Sequence, residues 1–198
     1  MCITIWSSPK VIDAAAVEAC VRTSDLVIAH NASFDRPIAE RHWPLLAEKN
    51  WACSMSDIPW VEEGVSSAKL DYIAMNLGFF FEGHRAANDC LAGIEIFSRT
   101  LPVSGRLALS VLLDNARATT VRIRAVGAPF EVKDDLKAKG YRWNPGNDGV
   151  PKAWWTDIPE KDLPGELEWL GSEIFRGRDL KAHPLPMERI TAATRYRL

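Results

Sequence analysis

At 198 residues, with 47 % hydrophobic and 25 % charged side chains and a formal charge of −2, the chain has the makeup of one globular domain or a domain with a small appendage. No apolar run approaches the roughly 20 residues that cross a bilayer, and the opening MCITIWSSPK is too short and polar for a signal peptide. The 4 cysteines lie too far apart for a zinc knuckle or a disulfide framework, so secreted and membrane classes are excluded and a cytoplasmic location is expected.

In chain order, the first helix is expected over Asp13–Thr23, with Asp13 as N-cap. Leu26–His30 reads as a short buried strand, and a helix from about Ser33 places Phe34, Ile38 and Leu45 on its inner side. Trp51–Ser56 reads as another strand and residues 57–68 as loop. Leu70, Ile73, Ala74 and Leu77 mark a helix stopped by Gly78. Arg85–Thr100 reads as a longer helix, apolar at Ala87, Leu91, Ile94 and Phe97. A further helix carries Leu109, Leu112, Leu113 and Ala116. Alternating strands and helices of this kind predict an α/β layer over residues 1–116.

The pattern changes near residue 117. Val121, Ile123 and Ala125 alternate with Arg122 and Arg124, as in a strand with one basic face. A short helix over Lys133–Lys139 ends at Gly140, and strands Tyr141–Asn144 and Lys152–Asp157 flank a PGNDG turn. Leu163, Leu167, Leu170 and Ile174 form the stripe of a last helix. Residues 117–176 are thus expected as a small α+β domain, with 177–198 a basic, mobile tail. The charge is asymmetric, −5 over residues 1–116 and +3 over 117–198, which fits either solvated surfaces of mixed charge, the commoner case, or metal-binding carboxylates in the first part and a polyanion on the second.

Two short motifs stand out, HNASFD (His30 to Asp35) at a strand-to-helix junction and HRAAND (His84 to Asp89) opening the next long helix. Asp35 falls in the first turn of its helix, just outside the carboxyl end of a strand, where ligands gather in open α/β sheets. Asp89 falls early in the other helix, and His84 stands before it as a candidate general base. With their flanks, LVIAHNASFDRP, KLDYIA and EGHRAANDCLA, these motifs resemble the second and third exonuclease motifs of the DEDDh family, over about residues 10–100. That family includes the proofreading epsilon subunit of bacterial DNA polymerase III.

The resemblance implies a ribonuclease H-like fold and metal-dependent 3′→5′ removal of nucleotides from DNA or RNA. Two Mg²⁺ or Mn²⁺ ions act on the scissile phosphate, and the partners are a single-stranded DNA 3′ end and a replication or repair protein. Residue by residue it makes Asp35 and Asp89 metal carboxylates and His84 the base. Asn31 and Phe34 shape the substrate-side loop and pack its helix. The family's first motif, Asp-x-Glu on the first strand, has no counterpart, because no Asp here is followed two positions later by Glu. Only 34 residues precede Asp35, whereas three strands and a helix need roughly 45–50.

The sheet is therefore expected to be incomplete, with Cys2–Trp6 patching at most part of a bare edge of Leu26–His30, and the metal set short of ligands. A fragment, an internal start and a degenerate homologue fit equally well, and a non-catalytic module binding nucleic acid or a replication partner is the alternative function. Residues 128–170 resemble a small domain found at the ends of bacterial DNA-processing proteins. There Lys133, Lys137, Arg142 and Lys152 beside Tyr141, Trp143, Trp154 and Trp155 form either a basic stacking surface or, for most of the rings, a core.

Overall fold

A computed structural model describes residues 12–146, 149–177, 180 and 182–197. Cys2–Trp6 and positions 147–148 of the PGNDG turn lie outside the described residues. The chain is a mixed α/β protein whose residues fall into two compact units, Met1–Arg117 with Ala192–Leu198, and Ala118–Thr191.

In unit 1, α1 (Ala14–Arg22) begins where the Asp13 carboxylate accepts the N–H groups of Ala15 and Ala16. Then come β1 (Leu26–Ala29), α2 (Ala32–His42), a 3-10 turn over Pro44–Glu48, and β2 (Asn50–Cys53). β1 and β2 pair in parallel, Leu26 opposite Asn50 through Ala29 opposite Cys53, so α2 is their crossover. Alternate residues feed two cores. Leu26, Ile28 and Ala52 join Ile58, Trp60, Ile73, Ile96 and Leu112 on one face, and Val27, Ala29, Trp51 and Cys53 join Ala32 and Leu46 on the other. A parallel pair covered on both sides explains the near-continuous apolar run at Leu26–Ala29. The first core is closed by α3 (Leu70–Asn76), α4 (Ala86–Ser98) and α5 (Ala108–Arg117). Gly78, at φ +84°, ends α3 in the left-handed region where a side chain is strained.

The helices form where expected, but two present a different face. On α2 the buried residues are Ala32 and Arg36, with Ala39 packed beside them, while Phe34 and Ile38 are 64 % and 45 % exposed. The expectation that Phe34 packs its helix is corrected. On α4 the buried pair is Ala92 and Ile96, and Leu91 is exposed. In both helices the stripe is rotated relative to the most hydrophobic residues, because packing partners decide which side is covered, the strands for α2 and the neighbouring helices α3 and α5 for α4.

The fully buried Arg36 explains the rotation on α2. Its Nη1 and Nη2 donate to the carbonyls of Arg195 (2.6 Å) and Ala193 (2.8 Å), and its Nε donates to Glu40 at 2.5 Å. The Trp51 N–H donates to the carbonyl of Ala192 at 2.8 Å, so this C-terminal segment covers the outer edge of β2. Asp57, also buried, accepts from the Cys53 N–H at 2.7 Å, the Tyr196 hydroxyl at 2.6 Å and Arg195 at 3.4 Å. Arg195 in turn donates to the Asn115 carbonyl at 2.9 Å. The expected mobile tail is thus corrected. Residues 192–197 are a strap whose peptide groups are held by a buried guanidinium, and Leu185 and β6 (Met187–Ile190) belong to unit 2.

In unit 2 the sheet order is β4-β5-β3-β6, all antiparallel, from β3 (Thr120–Ala125), β4 (Arg142–Asn144), β5 (Ala153–Pro159) and β6. Val121, Ile123 and Ala125 are buried in strict alternation. Ile123 and Ala125 lie with Ile158 and Tyr141 against α6 (Lys133–Ala138) and α7 (Leu163–Trp169), which runs on into a wide turn over Leu170–Ile174. Gly140, at φ +87°, lets α6 turn straight into β4.

Removing Arg36 takes away the guanidinium donors to the carbonyls of Ala193 and Arg195. Arg36→Met is expected to destabilise unit 1 by about 2–4 kcal/mol, read by urea denaturation followed by circular dichroism. Arg36→Lys recovers only part, since an ammonium cannot span both carbonyls. Unchanged stability would show that the strap is held by other contacts.

The buried Glu63 carboxylate anchors a second loop by accepting the N–H groups of Val103 (2.9 Å) and Ser104 (3.0 Å). Burial opposes its ionisation, but Ser104, Val103 and the charge of Arg106 outweigh this and hold the carboxyl below the usual 4.5. A depressed folded value adds stability that is present above pH 4.5 and lost as pH falls through the folded value. Glu63→Gln is expected to cost about 1 kcal/mol at neutral pH after solvent screening, and to flatten the fall in stability between about pH 5 and 3. An equally steep acid limb in the variant would remove Glu63 from this role.

Candidate functional site

The site lies where both parallel strands end. His30 follows β1 and Ser54 follows β2, and their side chains meet, His30 Nδ1 to Ser54 Oγ at 2.9 Å. The Ser54 N–H extends the ladder to the Ala29 carbonyl at 2.9 Å, and the Trp60 indole donates to the Ser54 carbonyl at 2.7 Å, which pins the loop after β2. Asn31 then turns the chain in the left-handed conformation, at φ 77°, and α2 starts at once. The N–H of Ala32 finds the Cys53 Sγ at 3.3 Å. This sharp turn puts Asp35 in the first turn of α2, where a carboxylate is favoured by the helix dipole.

Asp89 occupies the same position in α4. Gly83 lies beside it: a Cβ there would stand 3.9 Å from Asp89 Oδ1. The charges of both carboxylates reach the same two groups, His30 and Cys90. Burial lowers the His30 imidazole below the ordinary 6.5, opposed by the Ala68 backbone and by the charges of Asp35 and Asp89. Burial raises the Cys90 thiol, and Asp89 and Asp35 push it the same way. Asp35 itself is raised by burial against the pull of His30. His30 Nε2 is shielded from solvent and makes no hydrogen bond of normal length.

Asp35 and Asp89 thus both lie within electrostatic reach of His30, which opens the first motif. His84 stands in the left-handed region at φ 64°, exposed, one residue before Arg85, the N-cap of α4, and its ring makes no hydrogen bond to a described residue. Phe34 projects outward beside Asp35, free to meet a ligand rather than packed under the helix. Asn31 shapes the turn with no side-chain cap bond. Ser54 is the participant the sequence did not point to, since nothing local marks a serine as the partner of a ring 24 residues away.

Among the described residues no three His, Cys, Asp or Glu side chains come together as a metal site. Two carboxylates cannot supply the oxygen shell that a pair of hard cations needs, so the described residues do not fit a two-ion Mg²⁺ or Mn²⁺ centre. No helix among them is long and apolar enough to cross a membrane. The chain matches no family model, no curated protein and no solved structure.

Because both carboxylates favour the imidazolium, Asp35→Asn and Asp89→Asn are each expected to lower the His30 pKa further below 6.5, read by NMR titration of its ring. With a folded value below the unfolded one, the His30 contribution to stability is full above pH 6.5 and declines as pH falls through it. A ring whose pKa rises or stays fixed in both variants would separate the two motifs in space.

Proposed function

We propose that unit 1 is a relative of the DEDDh 3′→5′ exonucleases, with a ribonuclease H-like origin, and that it receives a nucleic-acid 3′ end at the carboxyl ends of β1 and β2. What supports this reading is that Asp35 and Asp89, each in the first turn of its helix, both act by their charge on His30 at the end of the first strand. The motif resemblance supplies the roles: Asp35 and Asp89 as carboxylates of the cleavage site and His84 as the proton acceptor. The exposed ring of Phe34 offers a surface on which a terminal base can stack.

The ligand count favours a second reading of the same site. Among the described residues no three acidic, imidazole or thiol groups stand together closely enough to hold a metal ion, and on this reading the chain acts as a nucleic-acid-binding module that does not cleave by itself. Hydrolysis then depends on carboxylates beyond those described.

Incubation with a 5′-labelled single-stranded oligonucleotide and Mn²⁺ is expected to release little or no nucleotide. Robust, chelator-sensitive degradation that His84→Ala abolishes would overturn the non-cleaving reading and make unit 1 a working exonuclease. Without metal, the two carboxylates repel a phosphate chain at the site. The double variant Asp35→Asn with Asp89→Asn is therefore expected to bind a recessed 3′ end a few-fold more tightly, measured by fluorescence anisotropy. No change on removing both charges would take the 3′ end elsewhere.

A further inference from the structure

The sheet of unit 2 has one face under α6 and α7 and another that no helix of that unit covers. Cross-strand pairing orders the uncovered face. Arg124 lies directly opposite Trp155, and Trp155 directly opposite Arg142, so the three form one rung across β3, β5 and β4. Neighbouring strands stand about 4.8 Å apart, which puts the two outer positions of the rung about 10 Å apart. The next rung on that face holds Arg122, opposite Asp157 and Glu188.

The side chains on this face divide by their partners. Arg122 is satisfied within the chain, donating twice to the Asp157 carboxylate at 2.8 Å, and its guanidinium lies 4.3 Å from the Trp155 ring centroid. Arg142 lies over the same ring at 5.6 Å. No carboxylate among the described residues pairs with Arg142 or Arg124. Arg142 is therefore held against a partly exposed indole, and Arg124 stands opposite that indole on the neighbouring strand, neither side chain hydrogen-bonded or ion-paired to a described residue. The other aromatic residues are placed differently. Tyr141 is buried in the core with its hydroxyl on Glu166 at 2.9 Å, and Trp154 packs beneath the helices.

We propose that this face binds single-stranded nucleic acid. Arg124 and Arg142 take backbone phosphates, and Trp155 with its stacked guanidiniums is the platform for a base. Guanidinium planes and indole rings both stack on bases, and a guanidinium lying flat on an indole keeps its in-plane N–H donors for an anion. An acidic peptide would satisfy the charges but has no planar group for the ring. A nucleotide strand alternates the anion and the planar base that the rung alternates. The inference shares its partner class with the reading of unit 1 and rests on it to that extent, but it uses different residues.

The test uses the full chain in chelator, so that neither metal nor cleavage contributes, with a fluorescein-labelled oligothymidylate followed by anisotropy. Affinity is expected to fall with salt. Arg124→Glu with Arg142→Glu is expected to weaken binding at least ten-fold and to flatten the log–log salt slope by about 0.7 for each phosphate left without its arginine. Trp155→Phe is expected to keep most of the affinity and Trp155→Leu to lose about ten-fold, with circular dichroism confirming the fold. The milder Arg124→Gln with Arg142→Gln serves if the charge reversal unfolds unit 2. Unchanged affinity in the arginine variants overturns the proposal, as does a polyglutamate that displaces the probe as well as unlabelled oligothymidylate does. Binding that responds only to Asp35→Asn and Asp89→Asn also overturns it, and leaves the reading of unit 1 standing.

Discussion

Unit 1 depends on one buried guanidinium. Two parallel strands of four residues cannot by themselves hold five helices in register, and the outer edge of β2 needs a partner for its N–H groups. Arg36 supplies the means by fixing the carbonyls of Ala193 and Arg195, which brings the Ala192 carbonyl to the Trp51 N–H. Its position at the centre of α2 then dictates which side of that helix faces the strands. Phe34 and Ile38 are turned outward as a consequence, and Asp35 is carried to the rim where the strands end.

Asp57 does the complementary work on the other side of the strap. One carboxylate reaches the N–H of Cys53 in β2, the hydroxyl of Tyr196 and the guanidinium of Arg195. Burial and this carboxylate push the Tyr196 phenol well above its ordinary value, so it stays a neutral donor. A buried carboxylate is tolerable only with such a set of donors. The loop it anchors also carries Ser54, so the same network that ties down residues 192–197 holds the His30 ring at the mouth of the site.

The two units treat charge in opposite ways. In unit 1 the buried charges are consumed by peptide groups and leave two carboxylates at the strand ends. In unit 2 the helices cover one sheet face with aliphatic residues and Trp154, and the arginines of β3 and β4 remain on the other around Trp155.

The sequence alone determined the local features. Helix ends follow from the Asp13 cap and from Gly78 and Gly140, strand β3 from its period of two, and the first-turn positions of Asp35 and Asp89 from motif and helix start together. These depend on backbone dihedrals and near neighbours, which a short window of residues specifies. Tertiary structure decided what depends on distant partners. Hydropathy assigns Arg36 to the surface because burying a charge is costly, and only carbonyls more than 150 residues along the chain make the burial favourable. For the same reason a basic, proline-containing tail reads as mobile until those carbonyls are seen to be bonded. The Ser54 partner of His30 and the separation of Trp155 from Trp154 likewise follow from strand pairing, which sets across the sheet what lies far apart in the chain.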